Sequence, residues 1–359
     1  MLLVCICISK PRIHCHLVTD IDYMDRNRTS FVNGYFIAMV LIGHMALNCF
    51  HLDPDSADFH VIRKINGNLS QLVVSTFFFY TGYGFMCSYL AKGKAYPRAV
   101  LTNRFPRVWL NFALGVTVYY ILGLLLSSGY SPSDYLLALT GWRAVGNPSW
   151  FICVTLCAYL IFSFSFLICK REKPCLLVFS LLMLILSCIL LRYKNTWWYN
   201  TMLCIPAGMV FRLYRAKIES AITAMKCPAI VWAFVLILLG WFGYFQAPRL
   251  CAVAGIPYHT IHNLFVNGAA VSFAFGITLL HGCIHFSSCR LMVWAGGIAL
   301  FPIYMYQVIP MHVLSHCGMD ASHPSLFVSL VTLLTLALAP IVIRIQDFLW
   351  ESVRKPLCK

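Results

Sequence analysis

The sequence predicts an all-α, polytopic membrane protein built as a bundle of about ten transmembrane helices, and three observations carry that prediction. The chain is 60% hydrophobic against 11% charged. Its mean hydropathy of +0.77 lies outside the range of soluble domains. Apolar windows of about 17–22 residues recur along its whole length, each long enough to cross a bilayer as a helix. They fall near 31–50, 69–90, 108–127, 150–169, 175–191, 197–212, 229–246, 264–282, 291–313 and 325–343.

The formal net charge of +15 suggests nucleic acid in a soluble protein, but here its distribution explains it. With ten spans and a cytoplasmic N-terminus, only six of the 27 Lys and Arg residues fall in outer segments: Arg63, Lys64, Arg143, Arg192, Lys194 and Arg249. The positive-inside rule then places both termini in the cytoplasm and requires no polyanion partner. The expected organisation is an N-terminal tail over 1–25, a membrane domain over 26–345 and a basic cytoplasmic tail over 346–359. The first nine residues lack a basic n-region and a cleavage site, so they read as an interfacial tail or a misassigned start. The 17 cysteines, scattered and without a CxxC pair, read as small packing residues.

The first span, Ser30 to Phe50, carries His44 in its outer third. An ionisable group there is costly and marks a functional candidate, set against a neutral ring bonded to a neighbouring helix. Asn33 lies eleven residues earlier, about three turns or 16 Å, on the same face, and Asn48 lies one turn beyond the histidine. The acidic loop that follows brings Asp53 and Asp58 to the outer mouth as orienting carboxylates, where solvated surface is the plainer reading. In the second span, Gly82 and Gly84 allow another helix to approach closely.

Before the third span, Arg104 and Arg107 flank Pro106 at a spacing that shares one helix face. Two guanidinium forks there suit a phosphate-bearing ligand or, equally, anchor the helix against anionic lipid. The fourth span opens with Asn147 as N-cap and Pro148 as N1, which turns free N–H groups into the outer mouth. Trp150 follows at interface depth, as a belt anchor or as a platform for a sugar ring. Pro206 and Gly208 are expected to kink the sixth span. Gln307 sits deep in the ninth between Pro302 and Pro310, where its amide bonds another helix or lines a site. The His281/His285 and His312/His316 pairs have i,i+4 spacing, but Cys289 adds a third ligand to the first only if the eighth helix runs on into the inner loop, and Asp320 falls in a loop beyond the second, so no metal is expected.

From about residue 26 to 345 this pattern resembles the acyltransferase 3 family of integral-membrane acyltransferases. The stretch Asn33-Gly34-Tyr35-Phe36-Ile37-Ala38 running to Gly43-His44 is similar to that family's first span. FFFYTGYGF resembles its aromatic-rich second element, Arg104-Phe105-Pro106-Arg107 its RxxR motif, Trp150-Phe151 its WF, and Pro302-Ile303-Tyr304 the opening of its late helix. Two positions depart: Asn33 stands where the family has Arg or Lys, and Gln307 near where many members have a histidine. Arg28 does not replace the missing charge, being about 140° around the helix from Asn33.

The resemblance implies transfer of an acyl group, usually acetyl, from cytosolic acetyl-CoA or another acyl-CoA to a hydroxyl of an extracytoplasmic or lipid-linked glycan. It implies a multi-pass protein of the cytoplasmic (inner) membrane whose partners are membrane lipids and a glycan or glycolipid acceptor. In that reading His44 is general base or acyl relay. Arg104 and Arg107 hold the coenzyme A phosphates, and Gln307, Asn48 or the N–H groups after Asn147 stabilise the oxyanion. The rival is a transporter or flippase of a glycolipid or small solute, which spans broken at Pro206, Pro302 and Pro310 would fit.

Overall fold

The computed structural model describes residues 12–18, 22–48, 57–255, 260–285 and 289–357, with side chains over 12–18, 22–46, 71–255, 261–284 and 289–354. Nearly all of it is helical. The helices are α1 (Arg26–Asn48), α2 (Ala57–Lys92), α3 (Ala95–Ala99), α4 (Phe105–Leu125), α5 (Pro132–Leu139), α6 (Trp150–Ile168), α7 (Glu172–Tyr193) and α8 (Cys204–Ala224). They continue with α9 (Ala229–Val253), α10 (Thr260–Cys283), α11 (Arg290–Gly296), α12 (Leu300–Tyr306), α13 (Val308–His316), α14 (Met319–Ser322) and α15 (Pro324–Leu357). A two-residue strand β1 (Arg12–Ile13) pairs antiparallel with β2 (Ile284–His285).

Among the described residues, seven helical stretches are long and apolar enough to cross a membrane: α1, α3–α4 as one run, α6, α7, α9, α10 and α15. The pair α11 and α12–α13 makes an eighth if it is counted as one span bent by 67°. The outer faces of these helices agree with lipid contact. Leu181 and Ile185 on α7, Leu238 and Phe242 on α9, and Leu333 and Ile341 on α15 are exposed aliphatic and aromatic side chains. Two expected spans do not meet the apolar criterion, for a physical reason. α8 carries Arg212, Arg215, Lys217 and Glu219, and α2 has Ser75, Thr76, Tyr80 and Tyr83 buried along its middle.

Prolines and glycines mark the irregularities. Pro106 has no N–H to return to residue 102, and the preceding turn widens into a π-helix over Val100–Arg104. Pro310 leaves the Tyr306 carbonyl without its helical donor, and the helix is interrupted at Gln307, between α12 and α13. The 67° bend itself follows Gly296 and Gly297, ahead of Pro302. Pro206 lies in the first turn of α8, where an N–H has no helical partner, so it starts that helix where a kink was expected.

By contacts the chain forms two compact units. One takes Met1–Asn33, Gln71–Leu101 and Ala158–Val293; the other takes Gly34–Ser70, Thr102–Cys157 and Trp294–Lys359. The first is stitched by close helix contacts at glycine. A Cβ on Gly82 would collide with the Ile205 carbonyl, and one on Gly208 with the Phe79 carbonyl. Gly84, expected to serve likewise, has open space beside it. The Asn267 amide closes the start of α8: its Oδ1 accepts from Leu203 N–H at 3.1 Å, while its Nδ2 donates to the Tyr199 carbonyl at 2.9 Å. On the same helix Arg215 gathers partners, donating to Glu219 and Tyr83 at 2.7 Å and to Asp22 at 2.8 Å, with its guanidinium over the Tyr23 ring.

The second unit is organised on α12–α13 packed against α4 and α15. Tyr119 of α4 is buried and donates its hydroxyl hydrogen to the Met305 carbonyl at 2.8 Å, and Met305 fills the space left by Gly115. The short α5 is held by a complete capping box between Ser131 and Asp134.

Candidate functional site

The second unit brings together two polar residues from the ends of the chain. His44 is on α1, and Gln307 is the residue at which the α12–α13 helix breaks. They meet with 2.8 Å between Gln307 Nε2 and His44 Nδ1, across 263 residues of sequence. Gln307 is wholly enclosed and its Nε2 also donates to the Tyr304 carbonyl at 3.1 Å. Its Oε1 has no hydrogen-bond partner among the described residues.

Aromatic rings line this pair. The Tyr304 ring lies 6.2 Å from that of His44, Phe151 lies 5.3 Å from Tyr304, and Trp150 meets Phe151 edge-on at 5.9 Å. The first two residues of α6 are therefore tied to the histidine through one tyrosine. Tyr304 reaches that place because it is one turn before Gln307, so the residue that bonds the imidazole and the residue that walls it share a helix face. An imidazole in such a setting is shielded from bulk water on the aromatic side.

Asn147 is drawn close to Trp150 in sequence but does not cap its helix. α6 begins at Trp150, and Cys153 N–H bonds the Ser149 carbonyl. The Asn147 Oδ1 is spent on Val145 N–H at 2.9 Å, which closes the preceding loop instead. Its Nδ2 is buried without a partner among the described residues. Asn33 shares α1 with His44, and its buried Oδ1 likewise has no described partner. Arg28 is 8% exposed and donates to the Ile284 carbonyl at 3.2 Å, so the guanidinium nearest to Asn33 in sequence is committed to another element. Asn48 ends α1, and Asp58 is in the first turn of α2; their side chains, and Asp53 entirely, lie outside the described residues.

Arg104 closes the π-helical stretch and Arg107 enters α4, both exposed. Arg107 pairs with Asp347 of α15 at 2.5 Å, with each side chain 48% exposed. An exposed pair of this kind is worth at most about 1 kcal/mol, so it competes weakly with a polyphosphate for the guanidinium.

Among the described residues no group of three or more His, Cys, Asp or Glu is arranged to hold a metal. Asp320 is the largest surprise of this unit: expected in a loop, it is fully buried on α14 and accepts from the Ser315 hydroxyl at 3.0 Å. Tyr304 and Phe151 were also missed as members of the site. Their signal was available in the PIY and WF pairs, yet nothing in spacing alone ties either pair to His44.

A family model described as an acyltransferase domain matches residues 34–344. No curated protein and no solved structure matches. The match takes in most of the chain, including His44, Arg104, Arg107, Trp150 and Gln307, on a helical scaffold whose apolar stretches suit a multi-pass membrane protein. The chain belongs to the acyltransferase 3 family of membrane acyltransferases.

Proposed function

We propose that the protein is a membrane O-acyltransferase that moves an acyl group, acetyl in the simplest case, from cytosolic acyl-CoA to a hydroxyl of an extracytoplasmic or lipid-linked glycan. The observation that carries this reading is the 2.8 Å contact between His44 and the buried Gln307 amide, inside the residues matched to the family. A buried structural histidine is hydrogen-bonded as well; what favours a reacting pair is that it lies inside the residues matched to the family and that Gln307 Oε1 has no partner among the described residues.

The proposed topology has ten spans with both termini cytoplasmic, α2 and α8 being counted because much of their polar surface is turned inward. In that frame Arg104 and Arg107 lie on the cytoplasmic side, where the coenzyme A phosphates arrive, and His44 lies toward the outer side, where the glycan is offered. Trp150 presents a ring face at the mouth, and Asn33, Asn147, Asp53 and Asp58 remain the candidates for acceptor contacts. The inner (cytoplasmic) membrane is the proposed location.

The bent pair α11 and α12–α13 favours one second reading, a transporter or flippase, because broken spans line translocation sites. Purified protein in lipid nanodiscs, given labelled acetyl-CoA and a lipid-linked glycan fraction, separates the two. Label on the glycan is expected; uptake or flipping without any covalent transfer would replace the enzyme by the transporter.

A further inference from the structure

We infer that Gln307 sets which nitrogen of His44 carries the proton, and that His44 therefore works as a hydrogen-bond donor to the thioester oxygen, in place of a base or an acyl carrier. This rests on the acyl-transfer reading above. The starting point is the Tyr304 carbonyl. A backbone carbonyl has no hydrogen to give, so the Gln307 atom 3.1 Å from it is the amide nitrogen. The same nitrogen stands 2.8 Å from His44 Nδ1. Its two hydrogens go one to each partner, and Nδ1 accepts.

A neutral imidazole that accepts at Nδ1 carries its proton on Nε2. Turning the amide over would set Oε1 against the Tyr304 carbonyl, two acceptors facing each other, and would strip that carbonyl of its donor. The observed orientation leaves Oε1 without a described partner, so a buried acceptor is left unsatisfied to keep the nitrogen on both. Gln307 is fully enclosed, and bulk water does not compete for its amide.

A ring in this state has no lone pair on Nε2, and the lone pair on Nδ1 is held by Gln307. Neither proton abstraction nor attack on an acyl carbon begins from it. Donation from Nε2–H does. The acceptor oxygen bonds to the acyl carbon while the carbonyl electron pair moves to oxygen, where Nε2–H stabilises it. As the tetrahedral centre collapses, the C–S bond breaks and the hydroxyl proton leaves on the coenzyme A sulfur as the thiol. His44 keeps its proton throughout, and Gln307 is a positioning residue that acts through it.

Two measurements on the full-length protein test this: acyl transfer from labelled acetyl-CoA, and ¹⁵N NMR of the histidine rings, with the His44 signals among the 12 histidines assigned by their absence in His44→Gln. The glutamine amide places an N–H where Nε2–H was, yet it takes no proton and carries no acyl group. His44→Gln is expected to lose less than about tenfold, and His44→Ala about 100- to 1000-fold, the usual loss for one oxyanion donor. The wild-type ring is expected to be protonated at Nε2, and Gln307→Glu, which offers Nδ1 an acceptor, to move the proton to Nδ1 and lower transfer. Equal inactivity of His44→Gln and His44→Ala, or a wild-type proton on Nδ1, overturns the donor role. Absence of transfer by the wild type instead removes the acyl-transfer reading, while the NMR still decides whether Gln307 selects the tautomer.

Discussion

Arg215 in one unit and His44 in the other are both polar groups set among aromatic rings, and they are completed in opposite ways. Arg215 is charged and multiply paired: two carboxylates, a tyrosine hydroxyl and a ring face take up its guanidinium, and Tyr23 donates back to Glu219 at 2.7 Å. His44 has an uncharged partner whose own oxygen has no partner among the described residues. An ion cluster of this kind spends its interactions on holding the fold. A glutamine oxygen with unmet hydrogen-bonding capacity beside an imidazole is what a substrate-binding pair would keep in reserve, and this difference separates the Arg215 cluster, here a clasp of the fold, from the proposed site.

Substitutions can break or sharpen that contrast. The largest effect is expected from His44→Ala, which should cost transfer by about 100-fold or more while the protein stays folded, its stability lowered by about 1–3 kcal/mol because the buried Gln307 amide loses its acceptor. Gly208→Ala comes next and acts on the fold: the new methyl meets the Phe79 backbone, so thermal stability should fall by about 1–3 kcal/mol. Arg215→Met should lower stability by about 2 kcal/mol, less than a fully buried pair because Asp22 is 58% exposed, with turnover per folded molecule unchanged. Disproportionate loss of turnover in Arg215→Met would make the clasp part of the site and erase the distinction.

Smaller effects are expected where charges are exposed. Asp347→Asn frees Arg107 and should change stability by under about 1 kcal/mol, while the KM for acyl-CoA falls or holds. Arg104→Ala should raise that KM; an unchanged donor dependence would return the arginine to lipid anchoring. The smallest effect concerns pH. Hydrogen bonds from the Ser131 backbone and side chain, and then the Arg143 charge, hold the Asp134 carboxyl below the usual carboxylate range. Its contribution is therefore present above the unfolded value and is lost as pH falls through the lower folded value. Asp134→Asn should lower stability slightly at neutral pH, where the carboxylate contributes, and flatten that acid limb of a melting curve.

The helical membrane architecture was legible because lipid demands long apolar runs, and those runs are visible without knowing what packs on what. The spans that read least well are α2 and α8, where buried hydroxyls and the Arg215 cluster dilute hydropathy. Asn147 shows a second limit. A residue with cap chemistry before a proline reads as an N-cap, but a local loop bond from the Val145 N–H, two residues back, took its oxygen. His44 and Gln307 were each legible as costly polar groups in apolar helices, and their contact was not, since 263 residues separate them. Tyr304 followed only once Gln307 was placed.

The central claim is that the His44–Gln307 pair is the reacting centre of an acyltransferase. Single-turnover transfer from labelled acetyl-CoA, measured on nanodisc-embedded wild type and on His44→Ala matched for the amount of folded protein, tests it most directly. The account predicts label on a glycan hydroxyl with the wild type and at least about 100-fold slower transfer with the variant. Transfer by His44→Ala at the wild-type rate would contradict it.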